Sequence, residues 1–471
     1  MKETPAKKKS KLTLYILIAL LIGITLGFIL NTGYVHNENK QLDAIEVRIE
    51  GVNAALQNNK DTASSIHKDL ELQKKSIVKE RTAVLAARDK KVEPFSLIAD
   101  IFLRLIKMIV APLVFTTLVV GVAKLGDIKA VGRIGGKTLL WFLGASWMSL
   151  FLGMVLVNIF KPGLAMHLPV PEITDESGIA KATLSLKTFL YHVFPSSVIE
   201  SMANNEILQI VVFSLFFGVA TAAIGEQGKI VIKAFDAIAH VILKVTGYVM
   251  NLAPLAVFGA MTAIIAKQGL GVLKTYSIFI GEFYLSLSIL WIVLGVAGFL
   301  VIGKRVLDLL KRVKEPTILA FTTSSSEAAF PKTMEELQRF GCKDKIVSFV
   351  LPLGYSFNLD GSMMYMTFAA LFIAQSYGIH LDFATQLSML VVLMLTSKGI
   401  AGVPRASLVV IAGTLASFNI PEAGLALLLG IDPLLDMGRS ATNVIGNSIA
   451  TAVVSKWEGE LGEPEVIGTG A

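Results

Sequence analysis

The chain has 471 residues, 54% of them hydrophobic and 17% charged, with a formal net charge of +7 and a mean hydropathy of +0.66. Soluble domains run near 25% charged and about 45–50% apolar, so this composition points into a membrane and excludes both a soluble enzyme and a disordered chain. A single cysteine, Cys342, and six scattered histidines exclude a disulfide framework and offer no metal-ligand spacing.

Met1 to Lys11 carries five Lys against one Glu and leads into an apolar run from Leu12 to about Leu30. At ~20 residues the run spans a bilayer as a helix. A cleaved signal peptide would have a shorter apolar region and a small-residue cleavage site, so residues 1–32 are expected to form a retained first span with a cytoplasmic N-terminus. Residues 33–94 are polar and charged, yet apolar or small side chains recur at mostly three- and four-residue spacings: Leu42, Ile45, Ile49, Val52, Leu56, Ala63, Ile66, Leu70, Ile77 and Val84. That is a heptad seam, interrupted at Asn59, Gln73 and Glu80. The flanking spans leave and re-enter one membrane face, and a straight helix of ~45 residues would end ~65–70 Å away. The pattern therefore predicts an extracytoplasmic helical hairpin, resembling a coiled coil, that turns near Asn58–Asp61, where helix propensity is lowest.

Further apolar runs at Phe95–Val122, Thr138–Phe160, Ile207–Ile224, Ile230–Ala266 and Thr275–Ile302 approach or exceed spanning length. Lys124, Lys129, Arg133 and Lys137 follow the second run, and Lys304, Arg305, Lys311, Arg312 and Lys314 follow the sixth. Both clusters fall on the N-terminal side of the membrane, as positive-inside topology requires. The basic surplus is thus topology, with no nucleic-acid partner implied. A multi-pass protein of the cell (inner) membrane with both termini cytoplasmic is expected.

After Lys304 the pattern changes. Thr322-Thr323-Ser324-Ser325-Ser326-Glu327 precedes Pro331-Lys332, and Thr396-Ser397-Lys398-Gly399-Ile400-Ala401-Gly402 precedes Pro404-Arg405, with matching spacing. Small and hydroxyl residues allow tight reversals that survive at membrane depth only when buried in protein or lining a cavity. Two re-entrant hairpins are read here, at about 307–342 and 386–418. Each is followed by an interrupted apolar segment. The first, about 345–376, is broken by Gly354-Tyr355-Ser356-Phe357-Asn358-Leu359-Asp360-Gly361-Ser362; the second, about 422–457, carries Asp432, Asp436, Arg439, Asn443 and Asn447 along one helical face. Such paired units point to a transporter site near the midplane. Asp436 and Arg439 at i, i+3 can also be a plain ion pair, and Lys398 and Arg405 can simply snorkel, but charge inside a membrane segment defaults to a cavity or a partner. An intramembrane aspartyl protease on Asp360 with Asp432 or Asp436 lacks its Gly-x-Gly-Asp motif and has no use for the Arg.

Ser324-Ser325-Ser326, Asn358-Leu359-Asp360-Gly361-Ser362, Ala401-Gly402-Val403-Pro404 and Asp436-Met437-Gly438-Arg439-Ser440 with Asn443 resemble the dicarboxylate/amino acid:cation symporter family. The resemblance covers nearly everything but the 33–94 insert. It implies an all-α polytopic membrane protein of eight transmembrane helices plus two re-entrant helical hairpins, not an enzyme, assembled as a homotrimer and working as an elevator. Scaffold helices would lie in 95–134 and 161–272 and the transport domain in 135–160 and 273–457, with a cytoplasmic tail at 458–471. By motif, Arg439 with Ser362 would hold the substrate's side-chain carboxylate, Asp436 its ammonium, and Asn443 with Ser325 its α-carboxylate. Thr323 and Val403 would offer carbonyls at the tips, beside Ser324.

That arrangement suits an acidic amino acid, glutamate or aspartate. A C4-dicarboxylate has no ammonium for Asp436 and stays as the alternative. No cofactor is implied beyond a coupling cation. Candidates for that cation are Asp360, Asn358, Glu327, Gly354, Ser356, Asn447, Ser397 and Ser146, with a possible sodium site at Asn358 and Asp360. This chain has Asn447 where the sodium-coupled pattern has Asp, Phe142 and Ala145 where it has Tyr and Thr, and Ile400 where it has Thr. Met366 stands where mammalian relatives carry a glutamate. Proton coupling through Asp360 or Glu327 is therefore preferred over sodium, and a periplasmic partner for the insert, or reinforcement of the trimer by it, is a further expectation.

Overall fold

The computed structural model describes residues 12–58, 65–125, 128–165, 191, 193–269, 276–397, 406–429 and 431–465. Regular structure among them is helical, apart from one antiparallel bridge between Cys342 and Leu461. Helix α1, Leu12–Ile29, ends in a wider π turn, Leu30–Tyr34, that leads into α2, His36–Asn58. Helix α3 runs unbroken from Ser65 to Leu125, through Pro94 and Pro112, so the second half of the polar insert and the second apolar run are one element. Sequence composition changes at Pro94, but a proline costs a helix only one hydrogen bond and a local bend when packing holds both sides.

Helices α2 and α3 pack as a hairpin around Ile45, Val52, Leu56 and Ile77, with Ile49, Leu70 and Val84 against them. Ile66 departs from the expected seam and is 61% exposed, and Ala63 lies outside the described residues. Arg48 and Arg81 on the two helices bond across to Glu80 and Glu46 at 2.9 and 2.8 Å. The hairpin's base is tied to the membrane helices. Lys91 pairs with Glu38 at 2.7 Å, Arg88 donates to the Lys267 carbonyl at 3.0 Å, and Asn31 donates to the Ala266 carbonyl at 2.9 Å.

The Lys91 hydrogen bond holds the Glu38 carboxyl below the usual carboxylate range. A lowered folded-state value means this pair's contribution is complete above that range and disappears as pH falls through the lowered value. Hydrogen-exchange protection at the start of α2, normalised for intrinsic rate, is therefore expected to be flat from neutral pH down to about 5 and to fall below about 4. Lys91→Met should flatten the profile, and an unchanged acid limb in that variant would refute the assignment.

The membrane part continues with α4, Ile128–Phe160; α5, Ile207–Ala223; α6, Glu226–Met250; α7, Ala253–Gln268; and α8, Ser277–Ile302. The long run expected at Ile230–Ala266 is bent by 50° between α6 and α7. Asn251 and Leu252 interrupt it, and Pro254 sits in the first turn of α7, where its missing N–H costs nothing. Among the described residues four helices are long and apolar enough to cross a membrane, and the bent pair makes a fifth.

Beyond Ile302 the helices are shorter and broken: α9, Arg305–Arg312; α10, Lys314–Thr323; α11, Ser326–Arg339; α12, Asp344–Phe357; α13, Asp360–Ser376; α14, Phe383–Thr396; and α15, Ala406–Ser417. The last helix, α16, Asp432–Trp457, is buried nearly all round from Met437 to Ser455, as suits a central core helix. Trp291 Nε1 donates to Thr442 Oγ1 at 2.8 Å and Tyr284 Oη to the Leu434 carbonyl at 2.6 Å, which fixes its rotation against α8. Past its C-terminus, Glu458 pairs with Arg133 and Lys137 at 2.8 and 2.7 Å, and the Gly462 carbonyl accepts from Arg305 at 2.6 Å.

Candidate functional site

Helices α10 and α11 reverse at the first serine run. Thr323 ends α10, Ser324 takes the left-handed conformation at φ 49°, and Ser325 caps α11 by accepting from the Ala328 N–H at 3.3 Å. A serine hydroxyl does here what a glycine alone would leave undone, satisfying an orphan helix donor. Ser324 Oγ donates to the Pro433 carbonyl at 3.4 Å, tying the reversal to the start of α16. Thr323 Oγ1 donates back to Leu319 O at 2.7 Å. The second reversal, with Lys398, Ile400, Val403 and Arg405, lies outside the described residues. Ser397, just before it, is buried and donates to the Met394 carbonyl of its own helix at 3.1 Å.

The polar face of α16 meets these elements residue by residue. Arg439, 1% exposed, has Asp432 Oδ1 at 3.1 Å and Asp436 Oδ1 at 3.0 Å, both from Nη2. Its guanidinium stacks 4.0 Å over the Tyr365 ring, and the Tyr365 hydroxyl donates to Asp432 Oδ1 at 3.1 Å. Nε and Nη1 are buried with no hydrogen-bond partner among the described residues. Asn443 Oδ1 accepts from the Gly361 N–H at 2.9 Å and the Ser362 N–H at 3.4 Å, and its Nδ2 donates to Ser362 Oγ at 3.3 Å. Those N–H groups open α13, so Asn443 caps the helix whose hydroxyl it also holds.

A second cluster lies one turn further along α16. Asn358, in the two-residue break between α12 and α13, donates from Nδ2 to Asp360 Oδ2 at 2.9 Å and to Asn447 Oδ1 at 3.2 Å. Ser149 of α4 donates to Asp360 Oδ1 at 3.2 Å, and Ser146 donates to the Phe357 carbonyl at 3.2 Å. Among the described residues, Asn358 Oδ1 and Asn447 Nδ2 are buried without partners. Glycines make the approach possible. A Cβ on Gly354 would sit 2.2 Å from Asn447 Oδ1, and one on Gly446 would sit 1.9 Å from Asp360 Oδ2. Ser356 is buried on α12, in the turn before the break. Glu327 lies elsewhere, in a small crevice with Val110, Val114, Ile207, Phe330 and Tyr355.

The structure thus brings Arg439, Asp436, Asn443 and Ser362 together, gathers Asn358, Asp360, Asn447 and Ser146 beside them, and sets Glu327 against α3. Sequence reasoning left three partners without a role: Tyr365, Asp432 and Ser149. A tyrosine in an otherwise apolar segment is a signal, since a buried hydroxyl seeks an acceptor. Ser149 stands one turn after Ser146, on the same face.

A cavity of about 1190 Å3 reaches the site, with Thr323, Ser324, Asp432, Pro433 and Asp436 at its inner end. Arg439 lies behind those acids. The cavity's net chemistry is a carboxylate-lined approach to a buried guanidinium that is incompletely bonded among the described residues, next to a carboxylate that accepts from Ser149 and Asn358.

The model of the Sodium:dicarboxylate symporter family matches residues 12–457. The chain is 44% identical over 373 residues to the Proton/sodium-glutamate symport protein of Geobacillus stearothermophilus, covering 78% of this chain and 88% of that protein. It is 43% identical over 372 residues to the C4-dicarboxylate transport protein of Laribacter hongkongensis, covering 77% and 84%. The C4-dicarboxylate transport protein of Citrifermentans bemidjiense is 42% identical over 372 residues, with the same coverage of 77% and 84%.

Proposed function

The chain belongs to the sodium:dicarboxylate symporter family, and from that premise we propose that it imports acidic amino acids, glutamate or aspartate, driven by protons. It is a membrane transporter and not an enzyme. The observation that carries the substrate reading is Arg439, whose Nε and Nη1 are buried without partners among the described residues while Nη2 is shared by Asp432 and Asp436. A planar guanidinium that cannot lose its proton matches a carboxylate, and an arriving carboxylate satisfies donors that are costly to leave unpaired. Asp436, at the inner end of the cavity, is then free to take an ammonium. Relatives of comparable identity are named for glutamate and for C4-dicarboxylates, so the Asp436 ammonium partner is what favours the amino acid.

The proton reading rests on Asp360, a buried carboxylate whose Oδ1 and Oδ2 accept from Ser149 and Asn358, with Asn447 where the sodium-coupled pattern has a second carboxylate. A carboxylate in that setting carries a proton without needing a hard-oxygen cage. Ser325, Thr323, Ser324 and Val403 at the two tips complete the substrate set in this reading, in a trimer of eight-span protomers whose transport domain moves as an elevator. Purified protein in sodium-free proteoliposomes with an imposed pH gradient is expected to accumulate labelled glutamate, and excess aspartate should compete better than excess succinate. No uptake until sodium is added would overturn proton coupling, and stronger competition by succinate would overturn the amino-acid reading.

A further inference from the structure

The cavity does not end at the membrane helices. Its outer wall is built by the polar insert: Asn39, Leu42, Asp43 and Glu46 lie on one face of α2, and Arg81, Leu85, Arg88 and Asp89 on one face of α3. Those spacings of three, four and seven turn a single side of each helix inward. The insert is therefore part of the way to Arg439, not an appendage on the surface.

The charges on this wall do not balance. Glu46 is neutralised by Arg81 at 2.8 Å, and Asp89 has Arg88 at 3.5 Å and Lys267 at 3.3 Å. Asp43 and Asp100 also line the cavity and, among the described residues, stand in no ion pair. At the inner end Asp432 and Asp436 share one guanidinium. Among the described residues Asp43, Glu46, Asp89 and Asp100 face Arg81, Arg88 and Lys267, which leaves one negative charge in excess there and one at the inner end, and low-dielectric walls focus such a field.

We propose that Asp43 on the insert and Asp100 just past it on α3 form a charge filter on the access path: they hold the cavity negative, so a singly charged zwitterionic amino acid reaches Arg439 more readily than a dicarboxylate dianion. A dianion meets twice the repulsion of a monoanion in the same potential. The inference rests on the proposed reading that substrate reaches Arg439 through this cavity. It adds a selectivity that the guanidinium cannot supply, because Arg439 attracts the dianion more strongly than the zwitterion.

The test uses full-length protein in proteoliposomes and initial uptake rates. The quantity read is the inhibitory potency of succinate relative to aspartate against labelled glutamate, which does not depend on the amount of folded protein. At an ionic strength near 0.01 M, where screening reaches only beyond about 30 Å, Asp43→Asn/Asp100→Asn should raise that relative potency about threefold to fivefold. Arg81→Gln, which frees Glu46, should lower it. Both shifts should collapse near 1 M salt, where the screening length is about 3 Å. Unchanged ratios in both variants, or shifts that survive high salt, overturn the filter. Should the wild-type protein take up labelled succinate and not glutamate, the amino-acid reading fails by itself, and the filter is then read from succinate uptake against the singly charged inhibitor succinamate, with the same expected shifts.

Discussion

Arg439→Ala is expected to abolish uptake of carboxylate substrates while the protein still reaches the membrane. Removing one partner of a buried, hydrogen-bonded charge pair costs about 2–5 kcal/mol, or roughly 30- to 5000-fold in apparent affinity. Here the loss has two parts. The substrate loses the fork that bonds its carboxylate, and Asp432 and Asp436, at 3.1 and 3.0 Å from the guanidinium, lose their shared cation. The second part threatens folding, since uncompensated buried charge is expensive. Arg439→Ala combined with Asp432→Asn removes one of the stranded charges and should recover membrane-inserted protein without recovering uptake. Arg439→Lys keeps the charge but loses the plane that stacks at 4.0 Å on Tyr365, so it should restore amount rather than transport. Retained high-affinity glutamate uptake in the alanine variant would refute the assignment.

Gly446→Ala should be nearly as damaging with a far smaller change. The added methyl would fall 1.9 Å from Asp360 Oδ2, whereas real contacts require more than about 3 Å. Carboxylates usually swing aside, but this one is pinned by Asn358 in the break before α13 at 2.9 Å and by Ser149 of α4 at 3.2 Å. Either α16 separates from α13 or Asp360 leaves its donors. Overpacking of this kind costs about 1–3 kcal/mol, which the fold can bear, but the geometry of the proposed proton carrier cannot. Uptake is expected to fall at least about tenfold, in line with an energy of ~1.4 kcal/mol or more, with thermal stability lowered only modestly. Gly247→Ala is the matched control, because nothing lies within 4 Å of a Cβ there. Equal uptake in the two variants would show that Asp360 is not positioned by this contact.

Much of this arrangement is legible in the order of residues. The line of Asp432, Asp436, Arg439, Asn443 and Asn447 is a period argument, and the structure keeps all of them on one helix, with Asp432 and Asn443 bonded to α13, Asn447 to the break before it and Asp436 on the cavity. An interruption within Gly354–Ser362 is equally plain, because a polar stretch in an apolar run has few ways to be buried, but the helices narrow it to Asn358-Leu359. The contacts of Tyr365 and Ser149 are not legible. Each bonds to a residue far away in the chain, Asp432 and Asp360, and periodicity carries no information about which face of one helix meets another. Composition also misplaces the insert's boundary. It changes sharply at Pro94, yet backbone hydrogen bonding responds to packing on both sides and carries α3 across the change.

That continuity gives the insert a mechanical meaning. From Ser65 to Phe95 the outer part of α3 is an arm of about 45 Å at 1.5 Å per residue, joined end to end with a helix inside the bilayer. A tilt of the buried part by about five degrees would sweep the arm's tip through about 4 Å, so small rearrangements within the membrane are magnified outside it. Pro94, where one backbone bond is missing, is the place where the arm would yield under load. Paired spectroscopic labels, one on the arm and one below Pro94, would separate bending at that joint from tilting of the whole rod.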